Sequence, residues 1–188
     1  MTVGVLAIQG DYEAHGRVLE KLGAQVRFVR KPEQLAEVDA LIIPGGESTT
    51  FLNFLAEHGF LEKLRDFVRA KPTFGTCAGA ILLAKDVENP PQQSLGALDI
   101  DIRRNAYGRQ NESFIAELQT KLGPMESVFI RAPKITRVGQ GVEVLAVEKN
   151  DPVLVRQGKI LAATFHPELS AGTRVHEEFL QMARNGSK

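Results

Sequence analysis

The first half of the chain alternates between two rhythms of apolar and polar positions. "VGVLAIQG", Val3 to Gly10, is a short apolar run closed by glycine, the pattern of a buried strand. "DYEAHGRVLEKLG" follows, with Val18, Leu19 and Leu22 at helical spacing and Gly23 placed to end the helix. "AQVRFVRK" alternates as a second strand, "PEQLAEVD" is a short helix or turn, and "ALIIPGG" is a third buried strand. "STTFLNFLAEHGFLEKLRDFVRAK" reads as two consecutive helices broken near His58 and Gly59, the first capped by Ser48 or Thr49. "PTFGTC" is a strand and "AGAILLAK" a short helix. Strands alternating with helices predict a mostly parallel α/β sheet.

After Lys85 the rhythm changes. "NPPQQSLGAL" is a Pro-rich surface connection, and "LDIDIRRN", "SVFIRAP", "VEVLAVEKN", "PVLVRQG" and "KILAATFHP" are short runs with little helix between them. They predict strands that partly pair antiparallel. "TRVHEEFLQMARN" closes the chain as an amphipathic helix, with Val175, Phe179 and Met182 spaced to dock on the sheet. No repeat or linker divides the sequence, so one domain over residues 1–188 is expected.

Composition narrows the function classes. Lys+Arg and Asp+Glu both number 23, so formal charge is zero and the basic excess of a nucleic-acid binder is missing. A single cysteine forms no internal disulfide, which fits a reducing cytoplasm. The N-terminus lacks a basic start and a small-residue cleavage site, and no apolar run approaches the ~18 residues of a membrane span. The expectation is a cytoplasmic protein bound to neither membrane nor nucleic acid.

The cysteine lies in Gly75-Thr76-Cys77-Ala78-Gly79, a G-x-C-x-G pattern at the strand-to-helix junction. This is the nucleophile-elbow pattern with cysteine in place of serine. A nucleophile at the tip of a sharp turn sits in strained backbone, and small neighbours two residues away let the chain fold back. The following helix aims its amides at the sulfur and leaves the Ala78 N–H free as an oxyanion donor. The bland alternative is a small buried hydrophobe, the commoner fate of a free cysteine.

A thiolate needs a base. His15, His58 and His176 fall in or at the ends of predicted helices among charged neighbours, which reads as solvated surface. His166 ends the apolar run "KILAATF", and in extended chain Glu168 would share its side, where a carboxylate can orient the imidazole. "LIIPGGESTT" runs a buried strand into Gly45-Gly46, whose backbone can approach a substrate closely and supply the second oxyanion donor. An ordinary strand-end turn would explain either segment taken alone.

Taken in order, "PGGEST", "GTCAG" and "HPE" resemble the class I (triad) glutamine amidotransferases. With "GVLAIQGD", "FGTCAGAILLAK", "RRNAYGRQ", "FIRAP" and "FHPEL", the chain is similar to the glutaminase subunits of pyridoxal 5′-phosphate synthases over nearly its whole length. "GRQ" and "FIRAP" select that branch. The resemblance implies a flavodoxin-like three-layer α/β sandwich and hydrolysis of L-glutamine to glutamate and ammonia. It makes Cys77 the nucleophile, His166 the base and Glu168 its orienter. It implies glutamine contacts at Gly46, Glu47, Ser48, Arg104, Ile130 and Arg131, and backbone oxyanion donors at Ala78 and Gly45 or Gly46. Arg103 beside Arg104 leaves open which guanidinium faces the pocket. A glutamine site needs cationic and anionic partners for the α-carboxylate and α-ammonium, which Arg and Glu supply.

The resemblance implies no cofactor and no metal for this chain, with pyridoxal phosphate as a product of the complex. The implied partner is a synthase subunit with a (β/α)₈ barrel, in an assembly of twelve plus twelve subunits. Rival readings are a glutaminase for another pathway, a cysteine peptidase or deglycase-like relative of the same fold, and a regulatory subunit without catalysis. The peptidase-like relatives place a histidine directly after the nucleophile, where this chain has Ala78.

Overall fold

The computed structural model describes residues 1–105 and 113–185. Four apolar runs become the parallel strands β1 (Thr2–Leu6), β2 (Gln25–Val29), β3 (Ala40–Ile43) and β4 (Thr73–Thr76). Between them lie helices α1 (Tyr12–Lys21), α2 (Ser48–Glu57), α3 (Phe60–Ala70) and a 3₁₀ turn at Pro32–Glu37. Gly23, with φ +78°, supplies the left-handed residue just past the end of α1. Gly59, φ +69°, makes the break between α2 and α3.

After Cys77 come α4 (Ala78–Leu83), β5 (Ala84–Glu88), β6 (Leu98–Arg103), β7 (Ser113–Leu118), β8 (Met125–Ile130) and β9 (Lys134–Val138). Then follow β10 (Glu143–Glu148), β11 (Asp151–Gln157), β12 (Ile160–Ala163) and α5 (Arg174–Asn185). The central sheet runs β10-β11-β12-β4-β3-β1-β2. Its five strands from β12 to β2 are parallel, and β10 and β11 are antiparallel. The parallel α/β half and the antiparallel C-terminal strands are as expected. The strands β5, β7 and β9 were not. β5 takes Lys85 out of the expected helix and pairs with β6 beside β9, while β7 and β8 form a separate hairpin.

Side chains alternate through the central sheet, as strand geometry requires. Leu41 and Ile43 join Phe51, Leu55, Phe60, Leu64 and Leu82 of α2, α3 and α4 in one core. Ala40 and Ile42 join Leu19 of α1 and Phe179 and Leu180 of α5 in the other. The result is three layers. Chain direction reverses across the sheet at β1, with β2 on one side and β3 on the other, and the loops after β1, β3, β4 and β12 share one edge. Ligands of open α/β sheets bind in the crevice at such a switch point. Among the described residues, no helix is long and apolar enough to cross a membrane.

Candidate active site

Cys77 stands between β4 and α4 with φ 48° and ψ −104°, a conformation that L-residues rarely adopt and that costs on the order of 1–3 kcal/mol. Hydrogen bonds on both sides hold it there: Cys77 N–H donates to Ala163 O (2.9 Å), and Ile81 N–H donates to Cys77 O (3.1 Å). The flanking glycines make the turn possible. A Cβ on Gly75 would stand 2.6 Å from the Gly79 carbonyl carbon, and one on Gly79 would overlap the Ile43 carbonyl oxygen. Ala78 N–H, first in α4, has no helical acceptor, as at every helix start.

β12 runs beside β4 with Ala163 opposite Thr76, so both chains leave the sheet together. His166 N–H donates to Val128 O of β8 (2.8 Å), which fixes the backbone at the base. The extended geometry expected for "HPE" is replaced by a 3₁₀ turn over Pro167–Leu169, because proline preorganises the first helical position. The turn still brings Glu168 to the ring, with Nδ1 of His166 2.7 Å from Oε1. Glu168 is 6% exposed. Burial pulls the His166 pKa down. Hydrogen bonding to Cys77 and Glu168, with the charge of each, outweighs it and pushes the pKa up to about 10. An imidazolium in contact with a cysteine is the partner a thiolate needs.

Cys77 and His166 open on a cleft of about 250 Å³, small enough for a single metabolite. Gly45, Gly46, Glu47, Ser48, Arg104, Ile130 and Arg131 line it, so every expected contact residue meets at one place. Of the two adjacent guanidiniums, that of Arg104 faces the cleft. It donates to Thr49 Oγ1 (2.8 Å) and Glu47 Oε1 (3.3 Å), whereas Arg103 turns to Glu88. Arg131, also in the lining, stands at φ 44°.

The cap of α2 differs from expectation. Glu47 is the capping residue, accepting from Thr49 N–H (3.0 Å) and Thr50 N–H (2.7 Å), and Ser48 is the first helical residue. A carboxylate there satisfies two orphan amides and meets the helix dipole, more than a hydroxyl could offer. Partial burial raises the Glu47 pKa, but these hydrogen bonds prevail and hold it down to about 2. The cleft therefore presents a fixed anion, the Arg104 guanidinium beside it, and a cysteine-histidine pair at its base.

Sequence reasoning missed part of the lining. Gln9 Nε2 donates to Glu47 O (2.8 Å), and Gly10, at φ +73°, packs so closely on the Gly45 carbonyl that a Cβ would overlap it. Asn105 and Pro133 also border the cleft. Their signal was positional: "QGD" leaves β1 at the switch point, where any loop is a candidate. The "GRQ" segment, Gly108 to Gln110, lies outside the described residues.

Two histidines overturn their reading. His58 is exposed, as expected, but His15 and His176 are fully buried. Burial, then the neighbouring His176 and His166, hold the His15 pKa well below its usual value; burial lowers His176 to about 4. Both groups are therefore neutral in the fold, while the unfolded chain protonates them near pH 6.5. Stability is accordingly full above that pH and declines as pH falls toward 4. For His176 the difference amounts to roughly 3 kcal/mol. Urea denaturation at about pH 7.5 and about pH 4 should show this loss, with a smaller one in His176→Phe; equal losses would refute the assignment.

Comparison with known proteins agrees with this geometry. The model of the SNO glutamine amidotransferase family matches residues 5–185. The chain is 65% identical to the pyridoxal 5′-phosphate synthase subunit PdxT of Koribacter versatilis, over 100% of its own length and 98% of the relative's. It is 51% identical to the same subunit of Thermosipho africanus, over 98% and 100%. A crystal structure of a glutamine amidotransferase superposes with a TM-score of 0.91 at 50% identity, covering 97% of this chain and 98% of the other. PurLQS from Thermotoga maritima, at 16% identity and a TM-score of 0.68, shares the fold, covering 100% and 98%. With a family model spanning nearly all its residues and relatives at half identity or better, this chain belongs to the SNO glutamine amidotransferase family.

Proposed function

We propose that this chain is the glutaminase subunit of a pyridoxal 5′-phosphate synthase, hydrolysing L-glutamine to glutamate and ammonia as one domain of residues 1–188 in the cytoplasm. The observation that carries this reading is the convergence of Cys77, His166 and Glu168 at the base of a cleft whose walls carry Glu47, Arg104 and Arg131. The names of the relatives supply the pathway.

In the proposed cycle, the Cys77 thiolate attacks the side-chain amide carbon of glutamine. Ala78 N–H and a Gly45 or Gly46 amide receive the oxyanion. The His166 imidazolium protonates the amide nitrogen as the C–N bond breaks, so that it leaves as ammonia and a γ-glutamyl thioester remains. Water, activated by the now neutral imidazole, attacks the thioester; glutamate departs and the sulfur returns to thiolate. Arg104 and Arg131 suit the α-carboxylate, and Glu47 the α-ammonium, with Gly46, Ser48 and Ile130 closing around the stem. No cofactor takes part.

Free ammonia protonates and diffuses away, so the proposal includes a capturing partner: a (β/α)₈-barrel synthase subunit, twelve copies of each forming the complex. Glutamate release should be measured with the purified chain alone and with that barrel subunit. Strong stimulation is expected, with docking turning a Gly45 or Gly46 amide toward the oxyanion. Turnover without stimulation would point to another acceptor enzyme, and no turnover in either condition would remove the glutaminase reading.

A further inference from the structure

Behind the relay lie two buried histidines that the cycle does not use. Nδ1 of His15, on α1, is 2.9 Å from Nε2 of His176, on α5. Nε2 of His15 is 3.2 Å from Thr76 Oγ1 and 3.3 Å from Oε2 of Glu168. The other carboxylate oxygen, Oε1, holds His166. Phe74 meets both outer rings edge-on and seals them from water. Among the described residues, Oε2 accepts no well-aligned hydrogen bond, so the long contact to His15 is its nearest support.

The positions of the protons follow from the chemistry of each atom. A carboxylate only accepts, so a bare His15 Nε2 would set a lone pair against Oε2; the nitrogen facing it must carry the proton. His15 Nδ1 is then bare and accepts from His176 Nε2–H. That leaves His176 Nδ1 bare, and it is an atom without a hydrogen-bond partner. A buried lone pair without a donor is tolerated better than an N–H without an acceptor. This tautomer serves the contacts to His176 and Thr76 and leaves the Nε2–H beside Oε2, where its positive end meets the carboxylate.

We propose that His15 is a positioning residue for the reaction: its Nε2–H steadies the second oxygen of Glu168, and His176 fixes the tautomer that places the proton there. The proposal rests on the reading of Cys77, His166 and Glu168 as a relay. Among the described residues, the titratable groups that face Glu168 are His166 from its own segment and His15 from α1, with His176 behind His15 and Cys77 beyond His166. Along β8, Glu126 turns to solvent and takes no part. With Oε2 supported, Oε1 stays aimed at His166 Nδ1–H. Without that donor the carboxylate is less well held, and His166 loses part of the hydrogen bond and charge from Glu168 that help to raise its pKa.

The test is made with the barrel subunit present. His15→Phe fills the space without an N–H, and His15→Gln restores a donor near the Nε2 position. His15→Phe is expected to lower kcat about 10-fold with KM for glutamine nearly unchanged, and to move the alkaline limb of the pH profile, set by His166, down by about one unit. His15→Gln should recover most of both. A purely packing role would reduce stability and leave the alkaline limb in place, which would overturn the proposal. Nitrogen NMR of histidine-labelled wild-type protein decides the matter even if the variants do not fold. Neutral Nε2–H tautomers at His15 and His176 near pH 7 are expected. A His15 carrying its proton on Nδ1 in active enzyme would sink this inference alone; an inactive wild-type complex would sink the relay beneath it.

Discussion

Cys77→Ala is expected to reduce glutamine hydrolysis by a factor on the order of 10⁵–10⁶, the scale of loss when a hydrolase gives up its nucleophile. No other described side chain lining the cleft can take over. Glu47 is committed to the cap of α2, and the Ser48 hydroxyl donates to Gln92 Oε1 (3.1 Å), so neither is poised to attack. The fold should survive, since the substitution removes one sulfur from a site already small and alanine faces the same strained φ of 48°. Glutamine should still bind, because Glu47, Arg104 and Arg131 are untouched. His166 should report the change: with the Cys77 hydrogen bond and charge gone, its pKa should fall from about 10. Glu168→Gln should cost less, because the amide still orients the ring but no longer stabilises its cation. Glutamate release by the complex, with calorimetric titration of glutamine into Cys77→Ala, measures both halves. Substantial hydrolysis by Cys77→Ala would disprove covalent catalysis at this site.

The site was legible because its chemistry is written in local sequence. The elbow depends on Gly75 and Gly79 flanking one cysteine, and the contacts that exclude a Cβ at both positions explain the spacing. The relay depends on a histidine and a carboxylate two residues apart at the end of a buried strand. The pairing of β7 and β9 was less visible. β7 exposes Ile115 at 65%, and β9 is five residues with a half-exposed register, so neither carries the apolar run of a core strand. Their strand character comes from partners elsewhere in the chain, β8 and β6. The buried histidines were misread for a different reason. Charged neighbours suggested solvent, but His15 lies one helical turn from Leu19, and His176 shares a face with Phe179, Leu180 and Ala183. That period was readable, and it outweighs immediate neighbours because a helix buries a face, not a stretch.

Gly45→Ala is expected to cost about 10²–10³ in kcat/KM while leaving the fold intact. The backbone at Gly45 does not itself demand glycine, for it is not among the positive-φ positions, unlike Gly46 at φ +143°. The constraint is the space in front of it. A Cβ there would stand 2.5 Å from His166 Cε1, 3.3 Å from Nδ1 and 3.4 Å from Cys77 Cβ. Neither neighbour yields easily, since Glu168 and Val128 O pin the imidazole and the elbow's hydrogen bonds pin Cys77. Relief therefore displaces either the ring or the Gly45-Gly46 peptide by up to about 1 Å, and a displacement of that size in a catalytic constellation costs about 10²-fold. If the peptide is what moves, an oxyanion donor goes with it, which supplies the upper end of the range. Overpacking of this kind destabilises by about 1–3 kcal/mol, so loss of activity must be separated from loss of fold. Gly59→Ala provides the control. It too strains a glycine, at φ +69°, but nothing lies within 4 Å of the added Cβ and the site is remote. The expected pattern is two variants of comparable melting temperature, one nearly inactive and one near wild type. Wild-type turnover in Gly45→Ala would mean that the relay tolerates displacement at its most crowded contact, and the positioning argument would fail with it.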